Sequence, residues 1–200
     1  MTPTEPVVYS DYRKRLLTGD ILLAHGRSAE GKAISAVTRD VHTHATMIGY
    51  AGDDPYRVLM LGETREGNGA RLIALSSEVK KWPGCYDVYR VRSPFYRPAE
   101  AWAFICRAGG ATYSWPTIIR VGLRRKVCRF IPAIPNSDDP QYPRDCSGLV
   151  HAALRMSGVP PFCEYDADCV PGTLDSPLLT DYVCTLYWTQ AQIDAIKVTT

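Results

Sequence analysis

Hydrophobic positions along this chain fall into short blocks whose spacing alternates between helical and strand-like. "YSDYRKRLL", Tyr9 to Leu17, predicts a short amphipathic helix stopped at Gly19. "DILLAH", Asp20 to His25, is an apolar run of strand length and predicts a buried strand. Ser28 is placed to cap a helix running through "AEGKAISAVTR". Thr43 to Tyr50, "THATMIGY", predicts a strand, "AGDDP" a turn, and "YRVLMLGE" the returning strand of a hairpin. "GARLIAL" and "CYDVYRV" predict two more strands. Pro98 to Gly109 predicts a helix with Ala101, Phe104 and Ile105 on one face.

A second helix is expected after Trp115, carrying Arg120, Arg124, Arg125, Lys126 and Arg129. The stretch "FIPAIPNSDDPQYPRD" then holds Pro132, Pro135, Pro140 and Pro143, which rule out a regular helix or a central strand and predict a long ordered loop over 129–145. Cys146 to Met156 predicts a helix ended at Gly158, with Pro160 and Pro161 just beyond. "YVCTLYW" predicts a final strand. Helices around an antiparallel sheet make the fold class α+β, and 200 residues favour a single domain.

Composition changes this picture little. A hydrophobic fraction of 46% and a charged fraction of 22% suit a soluble domain with a real core. The net charge of +2 predicts no nucleic-acid partner. No apolar run approaches the roughly 20 residues of a membrane span, so no stable membrane insertion is expected. "MTPTEPVVYSDYRKR" lacks a secretory pattern, so the expectation is a protein cytoplasmic as synthesised, exported only by other machinery. Seven cysteines leave at least one unpaired. Cys85, Cys106, Cys128 and Cys184 lie in apolar or amphipathic runs and fit reduced, buried residues. Cys163 and Cys169 flank "EYDAD"; a disulfide or metal site there stays open, though the spacing matches no zinc pattern, and no metal or cofactor is expected.

Cys146 is different because "RDCSGLVHAALRMSG" puts it at the first turn of a helix. The unpaired N–H groups there favour thiolate over thiol and make a nucleophile near neutral pH. Asp145 is a suitable N-cap, and Gly148 leaves room for a substrate or strand to approach the first turn. The Cys146 N–H could form half of an oxyanion hole. A thiol nucleophile needs a base, and four histidines are available. His25 ends a strand and His151 lies on another face of the Cys146 helix. His44, on one face with Thr46 and Ile48 near a strand start, is favoured over His42, which is expected to lie beyond the strand. Glu63 closes the next strand and could accept a hydrogen bond from the imidazole.

"DCSGLV" is similar to the nucleophile motif of the NlpC-type cell-wall peptidases, a papain-like family. "GGATYSW" resembles the segment before that nucleophile, with Tyr113 at the position of a tyrosine lining the active site. In that family the histidine follows the cysteine, whereas His44 precedes Cys146 by 102 residues (146 − 44). This order resembles the circularly permuted branch, the YiiX-like proteins and the lecithin:retinol acyltransferase-like enzymes. "TGDILLAHG", "THATMIGY" and "LGE" match its "GD", histidine and polar-residue strands in sequence, and "CVPGTLDSPLL" resembles the segment after the nucleophile. The likeness covers about Gly19 to Leu179. It departs from the family in placing Tyr113 33 residues before Cys146 (146 − 113) and in having Thr46 where glycine is common.

The resemblance implies a single permuted papain-like domain over 1–200 and a cysteine hydrolase, an amidase or peptidase acting through an acyl-enzyme. Cys146, His44 and Glu63 would be its catalytic residues, with Tyr113, Asp145 and Ser147 at the oxyanion and substrate. The implied substrate is a small peptide or peptidoglycan fragment. Reaching it requires delivery to the cell envelope or passage within a virion. Two alternatives stand beside this: a lipid acyltransferase or phospholipase using the same triad, and a papain-like structural component of a larger assembly such as a phage tail.

Overall fold

The structure is a computed structural model that describes residues 6–26, 32, 35, 40–50, 59–65 (backbone only), 69–112, 132, 134–142 and 144–197. The predicted Ser28-capped helix, apart from two helical residues at 32 and 35, the "AGDDP" turn, the basic helix after Trp115, Tyr113 and Cys128 lie outside the described residues.

Among the described residues seven strands form one sheet: β1 (Val7–Val8), β2 (Ile21–His25), β3 (His42–Tyr50), β4 (Leu59–Arg65), β5 (Gly69–Ala74), β6 (Tyr86–Val91) and β7 (Thr180–Tyr187). Their spatial order is β1-β7-β6-β2-β3-β4-β5. Every pair is antiparallel except β1 with β7, so the expected antiparallel sheet carries one parallel edge pair. The fold class is α+β, as the alternation of elements indicated.

"ILLA" reads as an unbroken apolar run because β2 is central and covered on both sides. Ile21 and Leu23 join Ala45, Met47 and Tyr89 on one face, packed against α3 (Pro98–Arg107) and α4 (Cys146–Met156). Leu22 joins Ile48, Val88, Cys184 and Leu186 on the other, packed against Tyr9, Leu16 and α2 (Leu75–Lys81). Ala101, Phe104 and Ile105 are the buried face of α3, as their spacing predicted. Gly19 must be glycine: its φ is +87°, and a Cβ would stand 2.3 Å from the Tyr96 hydroxyl.

Several expectations need correction. The Tyr9–Leu17 helix is a single turn, α1 (Tyr9–Tyr12), followed by a 3-10 turn at Arg13–Arg15 and extended chain at Leu16. Tertiary burial of Tyr9 and Leu16 and the bond from Leu17 N–H to Asp20 Oδ2 (2.8 Å) override helical propensity there. β3 starts earlier than expected, because His42 N–H bonds Asp40 Oδ1 (2.9 Å) and His42 pairs with His25. Cys106 is exposed on the outer side of α3 rather than buried. β1, α2 and α5 (Gln190–Lys197) carry too short or too polar a pattern to be found by periodicity.

The Pro-rich loop is held by side chains instead of backbone ladders. Arg144, itself buried, donates to the carbonyls of Ser137 (2.5 Å), Asp139 (3.0 Å) and Tyr142 (3.0 Å). Arg155 Nη2 donates to Ser137 O (3.1 Å), and Asn136 Oδ1 accepts the Asp166 N–H (2.5 Å). These bonds tie the described part of the loop to Arg144 and to α4.

Candidate active site

Cys146 is the first residue of α4, and Cys146 through Leu154 are all buried. Asp145, in extended backbone conformation, is the N-cap, and its Oδ1 accepts the Gly148 N–H at 2.6 Å. Burial pushes the Asp145 carboxyl up to about 7, against the opposing effect of that hydrogen bond and of Ser147. Ser147 Oγ donates to Cys169 O (2.8 Å), tying the helix start to the segment after it. Gly148 serves a different purpose from the one its sequence position suggested. A Cβ there would lie 2.8 Å from Asp145 Oδ1 and 3.1 Å from Asp166 O, so the missing side chain admits the cap and a neighbouring backbone, not a substrate or strand.

Beside this turn sits a buried ionic network that the sequence reading missed. Asp166 Oδ1 bonds His151 Nδ1 (2.8 Å), and Asp166 Oδ2 lies 3.4 Å from Arg155 Nη2 and 3.7 Å from Arg144 Nε. These partners hold the Asp166 carboxyl below its ordinary range despite its burial. His151 is fully buried and committed to Asp166. A narrow pocket lined by Ile134, Pro135, Tyr142, Arg144, Asp145 and Asp166 opens alongside. Cys169 is a buried thiol beside Cys163. Burial raises Cys169 well above the ordinary thiol range, and it feels both Cys163 and Cys146.

The proposed base and its partner are placed as follows. α4 packs on the face of Ala45 and Met47. The ladder pairs His44 with Ala24, next to a register shift at Ala24/His25. Alternation back from Ile48 assigns His44 to the face opposite α4, and its charge is the weakest of the influences named on the Asp145 carboxyl. Glu63 lies in β4, paired with Arg71 of β5, and its side chain is outside the described residues. Tyr113 is outside them altogether.

His42, the second choice for the base, is bonded to Asp87. It is a strand residue, not one beyond the strand, and the register shift sets it opposite His25. Its Nε2 lies 3.2 Å from Asp87 Oδ2, and His25 Nε2 lies 2.8 Å from the same oxygen. Asp87, on β6, is held far below the usual carboxylate range by these two rings and by Thr185, whose Oγ1 donates to Asp87 Oδ1 (2.5 Å). The hydrogen bond to Asp87 raises His42 above the ordinary histidine range although burial opposes it. The only signal in the sequence was the histidines themselves; their convergence on Asp87 comes from strand order.

No protein-family model matches the chain, and no curated protein matches it significantly. Among solved structures, the chain is similar to the metalloprotein YiiX from Escherichia coli O157:H7, a DUF1105 protein. The match has a TM-score of 0.56 at 15% identity and covers 85% of this chain and 97% of that one. The YiiX-like fold is thus shared. Among the described residues no helix is long and apolar enough to cross a membrane.

Proposed function

We propose that the protein is a cysteine hydrolase on a circularly permuted papain-like scaffold, cleaving a peptide-type amide through an acyl-enzyme. One observation carries this reading: Cys146 opens a buried helix whose N-terminus is capped by the Asp145 side chain. The N–H groups at the helix terminus stabilise negative charge that develops in the reaction. Cys146 Sγ adds to the amide carbonyl as His44 takes the thiol proton. The C–N bond then breaks, and His44 returns the proton to the leaving amine. Water, deprotonated by His44, cleaves the thioester and regenerates the thiol. Glu63 is the residue assigned to orient His44, with Tyr113 and Ser147 beside the substrate.

The substrate class that fits is a small peptide such as a peptidoglycan stem, which places the working site in the cell envelope or a virion. The test treats wild type and Cys146→Ala with a thiol-directed electrophile, then with muropeptides and with phospholipid vesicles. Labelling and amide cleavage, both lost in Cys146→Ala, support the proposal. Ester cleavage from the vesicles alone moves the same nucleophile to lipid chemistry. Unchanged labelling of Cys146→Ala, or turnover that survives it, overturns the assignment.

A further inference from the structure

The His25–His42–Asp87 cluster is not used by the thiol mechanism, and its geometry exceeds what a hydrogen-bonded core needs. Three adjacent strands, β6, β2 and β3, each project one donor to one end of the sheet, on the face that carries α4. The donor atoms of His25, His42 and Asp87 all lie within 4.8 Å of one another. Both Nε2 atoms converge on a single carboxylate oxygen, at 2.8 and 3.2 Å. In a tetrahedral site with bonds of about 2.1 Å, ligand atoms stand roughly 3.4 Å apart, so a small widening admits an ion. The rest of the environment is arranged as a ligand's outer shell. Among the described residues His42 Nδ1 is buried without a hydrogen bond and faces Asp175 Oδ2 (3.4 Å) and Asp40 Oδ1 (3.8 Å). Carboxylates on that side favour a proton on Nδ1 and leave Nε2 to ligate. Thr185 secures the other oxygen of Asp87. Three carboxylates surrounding His42 supply negative charge in excess of what one imidazolium neutralises.

We infer that His25, His42 and Asp87 bind a divalent transition-metal ion of the zinc type, with a fourth position open to solvent or a small anionic ligand on the His25 side. Two imidazoles and a carboxylate are borderline donors suited to that class and poorly suited to calcium or magnesium. The open position follows from exposure: the His42 and Asp87 side chains are 4% and 11% exposed, whereas that of His25 is 37% exposed. Three protein ligands with one vacant position describe a reactive metal centre, not a closed structural one.

The site stands independently of the thiol chemistry, and the experiment separates the two. The full-length chain, stripped with chelator, is titrated with ZnCl2 by calorimetry and with CoCl2 by visible absorption. One equivalent is expected to bind, and the cobalt spectrum is expected to show nitrogen and oxygen ligands without thiolate charge transfer. His25→Ala, chosen because His25 is the least buried ligand, should keep the far-UV circular dichroism of wild type and weaken zinc binding by at least about a hundredfold. His42→Ala should abolish binding, and Cys146→Ala should bind zinc as wild type does. Absence of stoichiometric zinc binding, binding by His25→Ala equal to wild type, or a thiolate spectrum lost on replacing Cys146, Cys163 or Cys169 would each overturn the inference.

Discussion

The two clusters at this end of the sheet are built on opposite plans. Around Cys146, local backbone does the arranging: an N-cap aspartate, a glycine and the opening turn of one helix lie within four consecutive residues. Around Asp87, three strands distant in sequence each supply one side chain, and almost nothing local connects them. The first plan sets one thiol at a helix terminus beside a buried carboxyl. The second collects charge, with Asp87, Asp40 and Asp175 around His42. Chemistry from a helix terminus needs little sequence, whereas a ligand set needs a sheet.

The sharpest separation is in activity. Cys146→Ala should lower amide hydrolysis by about a thousandfold or more, read as single-turnover release of amine, while melting within a degree or two of wild type. A comparable loss from Asp87→Ala alone, with the fold and Cys146 labelling intact, would instead assign the chemistry to the second cluster.

Next in size, Asp87→Ala should destabilise the protein by about 3 kcal/mol in urea denaturation, because it strips a partly desolvated carboxylate from two imidazoles and from Thr185. A change below about 1 kcal/mol would mean that the network is solvated and only loosely held.

Asp145 makes a pH-dependent contrast. Its folded-state carboxyl sits at about 7, above the ordinary 3.8, so the folded state binds a proton that the unfolded chain has already released. Its contribution to stability is full below about pH 4 and is lost as pH rises through 7. Asp166 and His44 are the charged groups that face it, together with the Gly148 N–H and Ser147. Asp145→Asn, which keeps capping capacity, should flatten the stability profile between pH 4 and 8 by an amount of order 2 kcal/mol. Parallel profiles for the two proteins would show that the carboxyl is ionised throughout.

The smallest effect expected is at Gly148. Gly148→Ala should cost about 1–2 kcal/mol by crowding Asp145 Oδ1 and Asp166 O, and should raise the KM for substrate less than it lowers stability. A neutral result would return Gly148 to the role of a clearance for substrate.

Legibility followed the range of the interactions. The helix Cys146–Met156, its Asp145 cap and its stop at Gly158 were all visible, because capping and φ > 0 act within a few residues. The Ile48 and Met47 faces of β3 were visible as alternation. Arg144 was not recognisable as the organiser of the Pro-rich loop, since its acceptors are backbone carbonyls that carry no sequence signature. His151 was set aside by its position on α4, but its partner Asp166, which arrives from a later turn, was not legible. Helix α2 escaped notice because only Leu75 and Val79, anchored in the second core, with Glu78 bonded to Tyr86, sustain its seven residues.

By itself the chain dictated the central strands, the helices starting at Pro98 and Cys146 and where a thiol meets a helix start, since spacing, capping and turn chemistry are properties of neighbouring residues. Only the tertiary structure decided which histidines share a carboxylate. Strand order and a one-residue register shift put His25, His42 and Asp87 side by side, and neither is encoded within reach of any single segment.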